Sequence, residues 1–187
     1  MIFFTSDTHY YHTNVIEYCN RPFKTVEEMN ETLINNYNSV VGEKDTVYHL
    51  GDFAFANRAK AEEIPNRLNG KKILILGNHD FDPRYNGEKF YKEIFHEVYY
   101  YHELKYNGTR FCLFHFPIES WNKRHRGSIH LHGHTHSTYD KRNEQVPNRF
   151  DVGVDTWDFK PVSIEEILKL KTETVVNDRY HKKDNEI

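Results

Sequence analysis

Lys71-Lys72-Ile73-Leu74-Ile75-Leu76-Gly77-Asn78-His79-Asp80 is the stretch on which the reading of this chain turns. From Lys72 to Leu76 it has the near-continuous apolar character of a strand buried on both faces, and such strands belong to α/β sheets. The run then stops at once in Gly, Asn, His and Asp. The same pattern recurs along the chain. Ile2-Phe3-Phe4 leads through Thr5-Ser6 to Asp7-Thr8-His9, and Thr46 to Leu50 leads to Gly51-Asp52. Further on, Leu113-Phe114 leads to His115, and Ile129 to His132 leads to Gly133-His134-Thr135-His136. Ligands of α/β sheets bind at the C-terminal strand ends, where loops converge on fixed roots. Five segments that deliver Asp, Asn and His to such ends read as one site.

Helical signals fill the intervals. Thr25 with Glu28 has the spacing of a capping box, followed by Val26, Met29, Leu33 and Tyr37 at helical period. Residues 59–69 suggest a helix ending near Gly70. Asn107-Gly108, between Tyr99–Tyr106 and Thr109–Phe114, is a two-residue hairpin signal. Phe150–Val154 reads as a strand, and Ser163 with Glu166 opens a last helix through Ile167, Leu168 and Leu170. A β-α-β-α-β first half before a more antiparallel second half predicts an α/β protein with mixed sheets.

A length of 187 residues predicts one domain, taken as 1–171, with a polar tail over 172–187. With 25 Lys+Arg against 28 Asp+Glu, the net charge of −3 argues against bulk electrostatic binding of long nucleic acids, though short ends remain admissible. No apolar run approaches the ~18 residues of a membrane span. The N-terminus has no basic region of a secretion signal, and two cysteines cannot build a disulfide framework, so a cytoplasmic location is expected.

Thirteen histidines point to metal. Imidazoles suit Zn, Fe, Mn, Ni or Co, and the added carboxylate and amide oxygens favour Mn or Fe. About eight donors over-supply one ion and suit two, with a carboxylate between them, the arrangement that supplies hydroxide for in-line attack at phosphorus. No Ser or Cys lies in a nucleophile motif.

Asp7-x-His9, Gly51-Asp52, Gly77-Asn78-His79-Asp80, His115 and Gly133-His134-x-His136, in that order over residues 1–160, resemble the calcineurin-like metallophosphoesterase family. The resemblance implies an α-β-β-α sandwich, two packed mixed β-sheets flanked by helices. It implies a dinuclear centre of two divalent transition-metal ions, Mn2+ first and Fe, Zn, Ni or Co as alternatives. By motif, Asp7, His9 and His136 would hold one ion, and Asn78, His115 and His134 the other, with Asp52 bridging. His79 would stabilise the transition state and protonate the leaving group, oriented by Asp80. The family often has Gly-His where this chain has Phe114-His115. His102 and His96 are therefore rivals of His115, which is preferred because it ends a strand on the face of Phe111 and Leu113.

The expected reaction is hydrolysis of a phosphodiester, nucleotide-type or cyclic, because no inserted cap closes the site. Alternatives are a phosphatase of a small phosphorylated metabolite and an inactive metal- or nucleotide-binding protein of the same fold. Three residues are candidate substrate contacts. His12 follows the first motif, beside Asn14, a candidate helix cap. Arg21 lies in the same connection and reads either as a phosphate-gripping residue or as a structural surface one. Arg124 belongs to Lys123-Arg124-His125-Arg126, which reads as a phosphate-steering rim or as a solvated loop.

Overall fold

In chain order the elements are β1 (Ile2–Thr5), α1 (Thr13–Tyr18), α2 (Val26–Val40), β2 (Thr46–His49), α3 (Arg58–Arg67), β3 (Lys71–Ile75), α4 (Gly87–Ile94), β4 (Glu97–Tyr99), β5 (Tyr101–Tyr106), β6 (Thr109–Phe114), β7 (Ile129–His132), β8 (Arg149–Asp151), β9 (Val162–Ser163) and α5 (Ile164–Leu170). They come from a computed structural model that describes residues 1–82, 87–137 and 146–171, so the expected tail over 172–187 lies outside them. One sheet has the order β4-β3-β2-β1-β9, parallel except for β9. The other has the order β5-β6-β7-β8.

Side-chain alternation in the first sheet explains the apolar runs. Phe3, Val47 and Leu74 face the helices and pack with Met29, Leu33 and Tyr37 of α2 and Ile64 of α3. Their neighbours Phe4, Ile73 and Ile75 face the second sheet and meet Phe111, Leu113, Ile129 and Leu131. The Phe4 and Phe111 rings stack across the sheets at 6.0 Å. Each such side chain contributes about 1.5–3 kcal/mol when fully buried. Helix α5 adds Ile164 and Ile167 to this inter-sheet layer. On the outer face of the second sheet, His130 lies under Trp121 of the β6–β7 connection, ring centroids 5.3 Å apart.

Ser163 and Glu166 form the full capping box of α5. Thr25 accepts from Glu28 N at 3.1 Å, but the Glu28 carboxylate reaches back to Lys24 N at 2.8 Å, so only half of that box forms. The cap of α1 is His12, not Asn14, which falls inside the first turn.

Two expectations are corrected. Tyr99–Tyr106 is not one strand: Tyr99 stays in the first sheet, accepting Leu76 N at 2.8 Å, while Tyr101 pairs with Phe114 in the second. The chain changes sheets at Tyr100 without any Gly or Pro to mark it. The second half is also less antiparallel than it reads. The β5–β6 hairpin forms, with Asn107 and Gly108 at φ 46° and 79°, but β6–β7 and β7–β8 are parallel. Residues 115–128 must therefore run back from the C-terminal end of β6 to the N-terminal end of β7. Helix α4 and strand β9 add to the elements that the sequence predicts.

Candidate metal centre

The loops after β1, β2, β3, β6 and β7 meet at one edge because hydrogen bonding continues past the strands. Asp7 N donates to Gly51 O at 3.0 Å, and His9 N to Asp52 O at 3.1 Å. Gly133 N donates to His115 O at 3.0 Å. Residues 152–154, expected as strand, instead cross between sheets: Val152 N donates to His132 O at 2.8 Å and Val154 N to Ser6 O at 3.0 Å. Close approach dictates glycine here. A Cβ on Gly51 would lie 2.5 Å from Gly77 N, and one on Gly133 would collide with Ser6 and Asp7.

Five candidate ligands occupy the left-handed region: Asp7, His9, Asp52, His134 and His136, at φ 56°, 49°, 55°, 71° and 45°. Each such residue costs on the order of 1–3 kcal/mol, and clustering of the strain marks a site whose side-chain directions matter more than backbone ease.

Besides a group of Cys19, His136 and Asp155, two sets each bring their own donor atoms within 4.8 Å: Asp7, His9 and His136, and Asp52, His115 and His134. Asp52 lies between them, its Oδ2 3.7 Å from His9 Nε2 and 3.6 Å from His115 Nε2. Burial pushes Asp52 up to about 9 and Asp7 to about 7, so both resist charging until a cation offsets the lost hydration.

The donors fit a cation. His115 Nδ1 lies 2.7 Å from Leu50 O and so carries the proton, while burial holds the ring's basicity down to about 3. Its Nε2 lone pair then faces Asn78 Oδ1 at 3.0 Å and Asp52 Oδ2 at 3.6 Å, a gathering of oxygen and nitrogen atoms that a cation would complete. His9 is 2% exposed, burial depresses its basicity, and neither ring nitrogen has a hydrogen-bond partner. Such bare buried nitrogens are costly unless a ligand completes them. His102 stacks on Tyr48 at 5.6 Å, and His96 N donates to Lys72 O, so neither rival stands with this set.

His79 borders the open side. Its backbone N donates to Asp52 Oδ1 at 3.0 Å, and its Nε2 is 3.8 Å from Asp52 Oδ2. Burial, then the neighbouring His134, lowers its basicity. Asp80 does not do what the resemblance implied. Its carboxylate turns inward and accepts Asp52 N and Gly77 N at 2.8 Å and Phe53 N at 3.0 Å. It fastens the loops after β2 and β3 together and leaves the His79 ring alone.

The two arginines offered as candidate phosphate contacts have other partners. Arg21 is 4% exposed; it donates to Asp7 O at 2.7 Å and Thr8 O at 3.1 Å and pairs with Asp155, so it braces the first motif from behind. Arg124 lies over the Trp121 ring at 5.2 Å. Its 3-10 turn, Arg124–Arg126, precedes β7, whereas the candidate ligands follow β7. Lys123 and Arg126 line a different cleft with Lys105, Arg110 and Lys171. His12 does border the candidate centre, its ring 5.4 Å from that of His9.

Asp155 was missed. Its Oδ2 accepts from His136 Nδ1 at 2.7 Å, aiming Nε2 toward Asp7. The signal was available, since Asp155 directly follows Val152-Gly153-Val154, as Asp7 and Asp52 follow their own apolar runs.

An uncharacterised protein of Methanocaldococcus jannaschii is 44% identical over 174 residues, covering 90% of each chain. The Gene 66 protein of Mycobacterium phage L5 is 31% identical over 192 residues, covering 89% of this chain and 92% of that one. The crystal structure of an Aquifex aeolicus protein of unknown function shares the fold at TM-score 0.71 and 31% identity, covering 91% of this chain and 98% of that one. Residues 1–174 match the calcineurin-like phosphoesterase superfamily domain. With the donor sets gathered at one sheet edge, this match makes the chain a member of that superfamily of metal-dependent phosphoester hydrolases.

Proposed function

We propose that the chain is a dinuclear phosphodiesterase. The observation that carries this reading is Asp52 Oδ2 between His9 Nε2 and His115 Nε2, at 3.7 and 3.6 Å, each histidine in a separate donor set. Asp7, His9 and His136 would hold one divalent ion and Asn78, His115 and His134 the second, with Asp52 shared. Mn2+ is the first choice for such mixed nitrogen and oxygen donors. Ions in such a pair supply Lewis-acid charge and a nucleophile at neutral pH.

His79 carries the proton at Nε2 and gives it to the departing ester oxygen. Asp80 holds the two loops that position Asp52 and His79, and Arg21 with Asp155 fixes His136. Diester preference rests on the lining of the open cleft, which holds no Lys or Arg among the described residues. A monoester dianion leaves more charge to neutralise than a diester monoanion. Two free cysteines, Cys19 and Cys112, support the cytoplasm as the working compartment.

The test is a panel of phosphomonoesters, linear diesters and cyclic diesters against protein loaded with Mn, Fe, Zn, Ni or Co, with metal content measured. Two ions per chain and faster diester turnover are expected. One ion per chain, or preferred monoester turnover, overturns the corresponding half of the proposal.

A further inference from the structure

Resting on that hydrolase reading, we propose that the cleft has a ring-binding wall of Tyr18, His12 and Phe55, selecting phosphoesters that carry a flat heteroaromatic group of nucleobase size. The opening has a volume of about 560 Å³, far more than a phosphoryl group fills. Its sides are chemically unlike. One carries His79, His134 and His136, the polar groups that suit phosphate. The other is a set of rings.

His12 and Phe55 stack at 4.0 Å with an interplanar angle of 8°. Phe55 meets His79 edge-on at 4.5 Å, so the stack adjoins the proposed proton donor. Tyr18, at the end of α1, is 74% exposed at the cleft and stands edge-on to His12 at 6.3 Å. A cleft that took only phosphate would have no use for this surface. A nucleoside phosphoester is charged at one end and flat and apolar at the other, and matches both sides. Base stacking on aromatic side chains tolerates any base, so the wall selects for a ring and not for one sequence.

The decisive experiment measures binding and needs no turnover. Adenosine 5′-phosphate and ribose 5-phosphate are titrated calorimetrically into Mn2+-loaded protein; they differ only in the base. The nucleotide should bind roughly tenfold more tightly, within the range of one stacked base. Tyr18→Ala should bring that ratio close to one, and Tyr18→Phe should keep it. Tyr18 is mostly solvent-exposed, so its loss does not threaten folding. Equal affinities in the wild type, or a preference that survives Tyr18→Ala, overturns the wall. Hydrolysis of bis-nitrophenyl phosphate is followed separately. Absent hydrolysis beside a base preference that depends on Tyr18 sinks the hydrolase reading and upholds the wall; active hydrolysis without the preference does the reverse.

Discussion

His136 Nδ1 and Asp155 Oδ2 lie 2.7 Å apart, and the same carboxylate grips the Arg21 guanidinium at 2.7 and 2.8 Å. Burial alone would lower the basicity of His136, but the bond to Asp155, with Cys19 and Asp7 nearby, raises it to about 10. The tie turns Nδ1 to Asp155 and leaves Nε2 on the side of Asp7. A carboxylate behind a ligand histidine typically sets metal affinity by 10–100-fold. Asp155→Asn should therefore weaken the binding of one ion by about that factor and leave the second nearly unchanged. Titration with Mn2+ followed by elemental analysis would show it. Asp155→Ala should also lower Tm, because it strands a buried guanidinium, a loss on the order of 3–5 kcal/mol. Undiminished affinity for both ions in Asp155→Asn would contradict this role.

Replacing Lys123, Arg124 and Arg126 together with Ala should leave KM and its salt dependence within about twofold of wild type. Strand β7 runs parallel to β6, so the segment joining them returns to the far end of the sheet before β7 begins. At ~3.3 Å per residue, β7 itself separates that turn from the candidate ligands by about 10 Å or more. Exposed charges at and beyond a Debye length of about 10 Å act weakly in 0.1 M salt. A clear rise in KM would restore the steering rim.

Each motif residue was legible because its side chain and the strand that aims it are contiguous: Leu76-Gly77-Asn78, or Leu50-Gly51-Asp52. Partnerships across the chain were not. Arg21 and Asp155 are 134 residues apart and meet only once both sheets are assembled. Asp80 follows His79 directly, yet the turn sends one into the interior and leaves the other at the cleft, a difference spacing does not encode. The parallel pairing of β6 with β7 was hidden because 115–128, unlike a crossover helix, has no periodic pattern. The exit of Tyr99 from one sheet and entry of Tyr101 into another lay inside an unbroken aromatic run.

Metal-free protein should be most stable near pH 6–7. Burial pushes His49, His115 and His130 down to about 3 and His12 to about 4, with His9 also well below its usual range. For these groups the unfolded chain binds more protons from there up to about pH 6.5, so stability falls as acid is added. Asp80, Asp7 and Asp52 go the other way, raised by burial to about 6, 7 and 9. Their contribution is full below about pH 4 and is lost as pH climbs through the raised values. Five imidazoles outweigh three carboxylates on the acid side, and above pH 7 Asp52 and the raised His136 govern. Thermal melts in chelator should therefore decline from pH 7 to 9. Mn2+ should remove that decline, since the centre then holds its carboxylates ionised. A Tm that rises over this interval in chelator would refute the assignment.

His79 and Asp80 are adjacent, and their variants should fail in different ways. As a proton donor His79 matters most for a poor leaving group such as a nucleoside alkoxide, and least for nitrophenolate, which leaves without a proton. Losing such a donor typically costs about 10²–10⁴ in rate. His79→Ala should keep both ions, lose activity within that range on nucleoside diesters, and lose clearly less on nitrophenyl diesters. Asp80→Asn should show no such dependence. Its carboxylate accepts three backbone N–H groups, from Asp52, Phe53 and Gly77, and an amide has only one oxygen to accept them. At least one buried donor is left unpaired, at about 1–3 kcal/mol. The variant should therefore melt earlier, bind metal less tightly through the displaced Asp52, and slow both substrates by the same factor. Loss of an ion from His79→Ala would make His79 a ligand. A leaving-group dependence in Asp80→Asn, with Tm and metal content intact, would return Asp80 to the side of the imidazole.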